Sequence, residues 1–175
     1  SDWEQLPESA NALFEQEEND SLFLSRPWYE CLTATALEPE HTLVLACVVS
    51  GDKVMAILPL MQCAGIKTWY SLRHGFTPLY SLLLAENDQE QVIACLAEGL
   101  SQHSVNGLLL EPVADDDNKL IALEKCLTAA GFSSERVFRH YNWIHRLDGQ
   151  SYAEYMAARP AQLRNTIARK KRKLE

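Results

Sequence analysis

Two long apolar runs, Thr42 to Val49 and Lys53 to Cys63, stand on either side of Ser50, Gly51 and Asp52. Val, Leu and Ile dominate both runs, and the three residues between them are turn formers. The pattern predicts an antiparallel hairpin of buried strands. Buried strands need covering layers, so the hairpin sets the fold class before any other feature does. Amphipathic spacing just upstream supplies candidates for one layer. Leu6 to Glu17 places Leu6, Ala10, Leu13 and Phe14 on one helical face, and Pro27 to Leu37 presents Trp28, Cys31, Leu32 and Thr35. Arg26 and Pro27 mark the start of the second helix.

The rest of the chain changes character at Asp88. Before it, Ile66 to Leu72 predicts a third strand after Ala64 and Gly65, and Leu79 to Ala85 a fourth after Gly75 and Pro78. After it come a helix to about His103, a strand at Gly107 to Pro112, a helix from Asp116 to Ala130 stopped by Gly131, and a strand from Glu135 to Leu147. Two helices, an antiparallel meander and then alternating helix and strand predict an α/β (α+β) domain. Its sheet is mixed but largely antiparallel, flanked by helices, and followed by a C-terminal basic helix.

Charge is divided unequally along the chain. The formal net charge of −8 is the sum of a body, Ser1 to Ala158, at −14 and a tail, Arg159 to Glu175, at +6. The tail sets Leu163, Ile167 and Leu174 among Arg164, Arg169, Lys170, Lys171, Arg172 and Lys173, with Pro160 at the expected first helical position. Such a helix has a narrow apolar stripe that needs a surface to lie on. A downstream domain, an acidic groove on the body or a neighbouring copy, and a polyanion would each suit it. An acidic body opposes a polyanion, and the tail lacks the interleaved aromatics of a base-stacking surface, so a nucleic-acid partner is disfavoured.

At 175 residues, 47% of them hydrophobic, the chain suits one core and an appendage, with residues 1–150 as the domain and 151–175 as the helix. No apolar run reaches the roughly 18 residues of a membrane span, and the first residues lack the pattern of a signal peptide. A soluble, cytoplasmic protein is expected. Cys31, Cys47, Cys63, Cys95 and Cys126 are odd in number and sit in apolar contexts, which predicts reduced core thiols. Ser1 in place of an initiator Met implies processing or excision from a longer chain.

Candidate chemistry is sparse. Arg73 and His74, with Gly75, precede the expected fourth strand and Tyr80 follows soon after, so these residues could line a substrate groove. Trp28 and Tyr29 read either as an aromatic wall for a sugar or peptide or as core packing, and the spacing favours the core. His140 and His145 would lie on opposite faces of one strand and so make poor joint metal ligands. Tyr141 and Trp143 would share a buried face of that strand. Asp115, Asp116 and Asp117 read as a helix start with one capping residue, a divalent-metal site being the alternative. No Ser-His-Asp order, HExxH, P-loop or paired CxxC occurs.

The segments SLFLSRPWYECL, VMAILPLMQ and YMAARPAQLRNTIARKKRKLE, in this order, resemble the N-terminal half of the CelD-type (BioF-like, Fem-like) acetyltransferases, and the order of elements is that of a GNAT domain. The resemblance covers nearly the whole chain. It implies two GNAT-like folds in tandem, with the basic helix leading into the second, and acyl transfer from a thioester to an amine or hydroxyl of a polysaccharide or cell-envelope precursor. It also implies that acetyl-CoA or another acyl-CoA would rest its pyrophosphate on the helix after the fourth strand. Here that stretch, Ala85 to Gln91, holds Glu86, Asp88 and Glu90 and no glycine. Three carboxylates would repel a pyrophosphate from the positive helix end. The expectation is therefore a half that binds no cofactor and no metal, assists with the acceptor, and leaves the chemistry to the downstream fold. The competing expectation is a noncatalytic interaction module whose basic helix docks on a protein partner or polyanion.

Overall fold

The computed structural model describes residues 3–19, 21–103, 105–142 and 149–173. The chain forms two compact units, Ser1–Arg139 and His140–Glu175, so the boundary expected at 150/151 falls within the second. In the first unit, short 3-10 turns lead into α1 (Asn11–Glu18) and α2 (Arg26–Thr35). Ser25 caps α2, its hydroxyl accepting from the Trp28 amide at 3.3 Å, and Pro27 occupies the first turn, where a missing amide costs nothing.

The hairpin forms as expected. β1 (His41–Ser50) and β2 (Lys53–Cys63) pair antiparallel, and Gly51 takes the positive φ of 58° that the turn requires. The register slips between Val48 and Val49, leaving Met55 as an extra residue on β2. This bulge changes which face successive side chains meet. Ala56, Leu58 and Leu60 enter one core with α3 (Gln89–Gln102) and α4 (Asn118–Ala129), whereas Val54 and Ile57 enter the other with α1 and α2. The sheet is thus covered on both faces, as its continuous apolar strands demand.

β3 (Thr68–Ser71) pairs antiparallel with β2 through Leu60–Gln62, and β5 (Gly107–Leu109) runs parallel to β3. The expected fourth strand departs from a simple meander. β4 is only Leu83–Leu84, and it returns to the same edge of β2, opposite Ala56 and Ile57. Pro59 faces the gap between β3 and β4, where no strand needs the amide that proline lacks. Its carbonyl accepts from the Leu72 amide at 3.0 Å and from the Tyr80 hydroxyl at 2.7 Å.

Other departures concern the C-terminal part and the thiols. Glu135 to Asn142 form no strand; Val137, Phe138 and Tyr141 are more than two-thirds exposed, so Tyr141 has no buried aromatic face. Arg136 holds the segment to Glu124 and Arg139 holds it to Glu111, and these ion pairs replace a ladder. Trp143, His145 and the remainder of the expected strand lie outside the described residues. In the second unit, α5 (Tyr152–Ala157) opens on a Ser151–Glu154 capping box, and α6 (Ala161–Lys171) follows. Pro160 is the residue before α6 rather than its first member. All five cysteines are free, but Cys31 and Cys95 are exposed and the other three are half-buried, so they are not uniformly core residues.

Two buried tyrosines make contrasting tests. Tyr80→Phe removes a hydrogen bond to a buried carbonyl and should cost about 1–2 kcal/mol in urea unfolding. Tyr29→Phe removes a buried hydroxyl that has no hydrogen-bond partner and should change stability by less than about 0.5 kcal/mol, or raise it. With a disulfide reagent at pH 8, Cys31 and Cys95 should react in the fast phase. Cys47, whose thiol burial pushes up from 9.0 to about 11, should be slowest.

Candidate functional site

β3 ends at Ser71, whose buried hydroxyl donates to the Glu111 carbonyl at 2.6 Å and accepts from the Glu111 amide at 3.1 Å. With the Leu72 amide on Pro59, these bonds fix the direction in which the chain leaves the sheet. Arg73 comes next, and its guanidinium donates to the Glu111 carboxylate. Arg139 reaches the other oxygen of that carboxylate at 3.2 Å, so two arginines share one acid. His74 and Thr77 close the loop reciprocally. The His74 amide donates to the Thr77 hydroxyl at 3.0 Å, and the Thr77 amide donates to the His74 carbonyl at 2.9 Å. This turn sets the His74 ring 5.3 Å from the ring of Phe76, which is 81% exposed.

Beside this loop lies a groove of about 160 Å³. Its floor is apolar, from Leu32 and Leu37 at the end of α2, Met61 of β2, and Leu72. Arg73, His74, Glu38 and His41 add charged and polar groups to its lining. An apolar floor with a few convergent polar groups is the form of a small-ligand site, although the volume is below the ~300–1,000 Å³ of typical drug-sized pockets. It suits a small molecule or one end of a larger one. Glu38, Glu40 and His41 also gather, their ligand atoms within 4.8 Å of one another. The Glu40 carboxyl is held below its usual range by a hydrogen bond from its own backbone, then by one with Glu38.

Of the residues expected to line a groove, Arg73 and His74 do so. Tyr80 does not, being wholly buried, and burial raises its hydroxyl pKa well above the ordinary range. Tyr29 is also buried, stacked on Trp3 at 6.0 Å and edge-on to Phe14 at 6.3 Å, as its helical spacing favours. Trp28 packs edge-on against Phe23 at 4.8 Å with its indole N–H buried, and neither residue forms an open aromatic wall. Sequence reasoning missed Glu38, His41 and Phe76. A large aromatic between Gly75 and Thr77 in a turn was a usable signal for Phe76, but Glu38 and His41 reach the groove only through the fold.

A second concavity, open and of about 480 Å³, lies at the start of α3. Glu86, Asp88, Gln89, Glu90 and Gln91 line it, and Asp88 takes a left-handed φ of 54° without a side-chain cap. This is the stretch that the resemblance assigns to a pyrophosphate, and its surface is acidic. The Asp115–Asp117 run has a different role. Asp117 caps α4, accepting from the Lys119 amide at 2.9 Å and the Leu120 amide at 3.2 Å, and also takes the Ser81 hydroxyl at 2.5 Å.

In the second unit, Arg164, Arg169, Lys170, Lys171, Arg172 and Lys173 are all exposed. Arg169, Lys170 and Lys171 occupy the last turn of α6, where the helix dipole favours cations. Leu163 and Ile167, one turn apart, remain 44% and 37% exposed; Leu174 lies outside the described residues. Comparison with protein-family models, curated proteins and solved structures finds no match to this chain.

Glu111 is the residue on which the groove loop depends. Glu111→Gln should leave two arginines without their acid and cost about 1–2 kcal/mol in urea unfolding, whereas Arg139→Gln, at a side chain 62% exposed, should cost less than about 0.5 kcal/mol.

Proposed function

We propose that this chain is an N-terminal GNAT-like domain of a tandem acyltransferase, unable to bind acyl-CoA in the usual way. Its role is to present the acceptor, a polysaccharide or cell-envelope precursor, to a second GNAT-like fold that carries the chemistry. The observation that carries the reading is the acidic surface at the start of α3, where Glu86, Asp88 and Glu90 surround a helix end suited by its dipole to an anion. A pyrophosphate there would meet three carboxylates in place of a ring of free amides. The α5–α6 appendage with its exposed cations supports the tandem arrangement. The groove lined by Arg73 and Glu38 supports an acceptor role, because it joins apolar lining to charged groups. The reading places the protein in the cytoplasm, which five free thiols suit.

An interaction module is the second reading, favoured by the exposed Leu163 and Ile167 among six cations. The two readings part on a longer chain. Protein extended past Glu175 along its reading frame should bind acetyl-CoA saturably, and its C-terminal portion alone should do the same. A stop directly after Glu175, or an extended protein that ignores acetyl-CoA, would favour the module.

A further inference from the structure

The groove beside β3 carries opposite charge on its two sides. β2 runs between β1 and β3, with His41 opposite Cys63 on one flank and Ser71 opposite Leu60 on the other. Glu38 and His41 therefore belong to the β1 side and Arg73 and His74 to the β3 side, with β2 between them. Each side keeps a surplus of its own sign. On the β3 side, Arg73 and Arg139 share the single carboxylate of Glu111. On the β1 side, Glu38 and Glu40 lie together with His41, and neither acid takes part in the ion pairs of the described residues. Leu32, Leu37 and Met61 form the apolar stretch between them.

We infer that this groove binds a zwitterionic small molecule, or the zwitterionic end of a larger acceptor. A carboxylate or similar anion would lie against Arg73 and His74, an ammonium against Glu38, whose charge Glu40 reinforces from beside it, with a short aliphatic segment over the apolar lining. A purely anionic ligand would meet the acids, and a purely cationic one the arginines. Only a ligand carrying both charges at separated ends satisfies both sides. The inference rests on reading the groove as the acceptor site and names the ligand class of that site.

The test is calorimetric titration of residues 1–175 with 6-aminohexanoate, whose two charges are separated by methylenes, beside hexanoate and hexylamine. The zwitterion should bind saturably and about tenfold more tightly than either singly charged analogue, the size expected for one further charge-assisted hydrogen bond. Arg73→Gln should reduce its affinity to that of hexylamine, and the pair Glu38→Gln and Glu40→Gln to that of hexanoate. Circular dichroism checks that the variants fold; Glu111 keeps Arg139 in the first, and the acids of the second are exposed. Equal binding of the three probes, no binding, or binding that neither variant changes would overturn the inference. The outcome is separate from acyl-CoA binding: a groove that rejects the zwitterion leaves the acidic α3 surface as it is, and acyl-CoA binding at α3 leaves the groove result standing.

Discussion

The hydrogen bond from Tyr80 to the carbonyl of Pro59 closes the gap between β3 and β4 along the edge of β2. A proline inside a strand paired on both edges would ordinarily disrupt pairing, since it offers no amide to a neighbour. Here β3 stops short and β4 begins late, so the defect faces a side chain in place of a strand. Tyr80 fills the space, and its own amide donates to the Pro112 carbonyl at 2.7 Å, which ties the segment after β5 to the same point. From there the chain order follows. Ser71 locks onto Glu111, Glu111 holds Arg73 and Arg139, and the groove loop is fixed at the rim of the sheet.

A second tie joins the helical layers. Glu17 of α1 is buried, and Lys119 of α4 donates to both of its carboxylate oxygens, at 2.9 and 2.8 Å. α1 belongs to one covering layer and α4 to the other, so this ion pair connects layers that the sheet otherwise separates. Its net contribution to stability is limited by the cost of taking the charges out of water. Two residues from Lys119, Asp117 takes the Ser81 hydroxyl, so the start of α4 is tied both to α1 and to the segment before β4.

How much could be read beforehand depended on the range of the signal. The β1–β2 hairpin, the start of α2 at Arg26 and Pro27, α3, and α4 with a cap within Asp115 to Asp117 all follow from neighbours a few residues apart; that Ser25 and Asp117 are the capping residues comes from the structure. The shortness of β4 does not, because it depends on Pro59, some twenty-four residues earlier. The segment from Glu135 has strand-forming residues, but strand propensity expresses a half-buried, paired surface, and Arg136 and Arg139 bind it to acids instead. Cys31 and Cys95 have apolar neighbours in sequence yet lie on the outer faces of their helices. The groove was half legible: Arg73 and His74 share a loop, whereas Glu38 and His41 join them only after β2 has been laid between β1 and β3.

The proposed function requires that Glu86, Asp88 and Glu90 at the start of α3 keep an acyl-CoA from this domain. The most direct measurement is calorimetric titration of residues 1–175 with acetyl-CoA and CoA at moderate salt, repeated at high salt to remove attraction to the exposed cations of α6. The account predicts no saturable binding, or weak binding that high salt abolishes. Saturable binding that survives high salt would contradict it and make this domain a cofactor-binding unit in its own right.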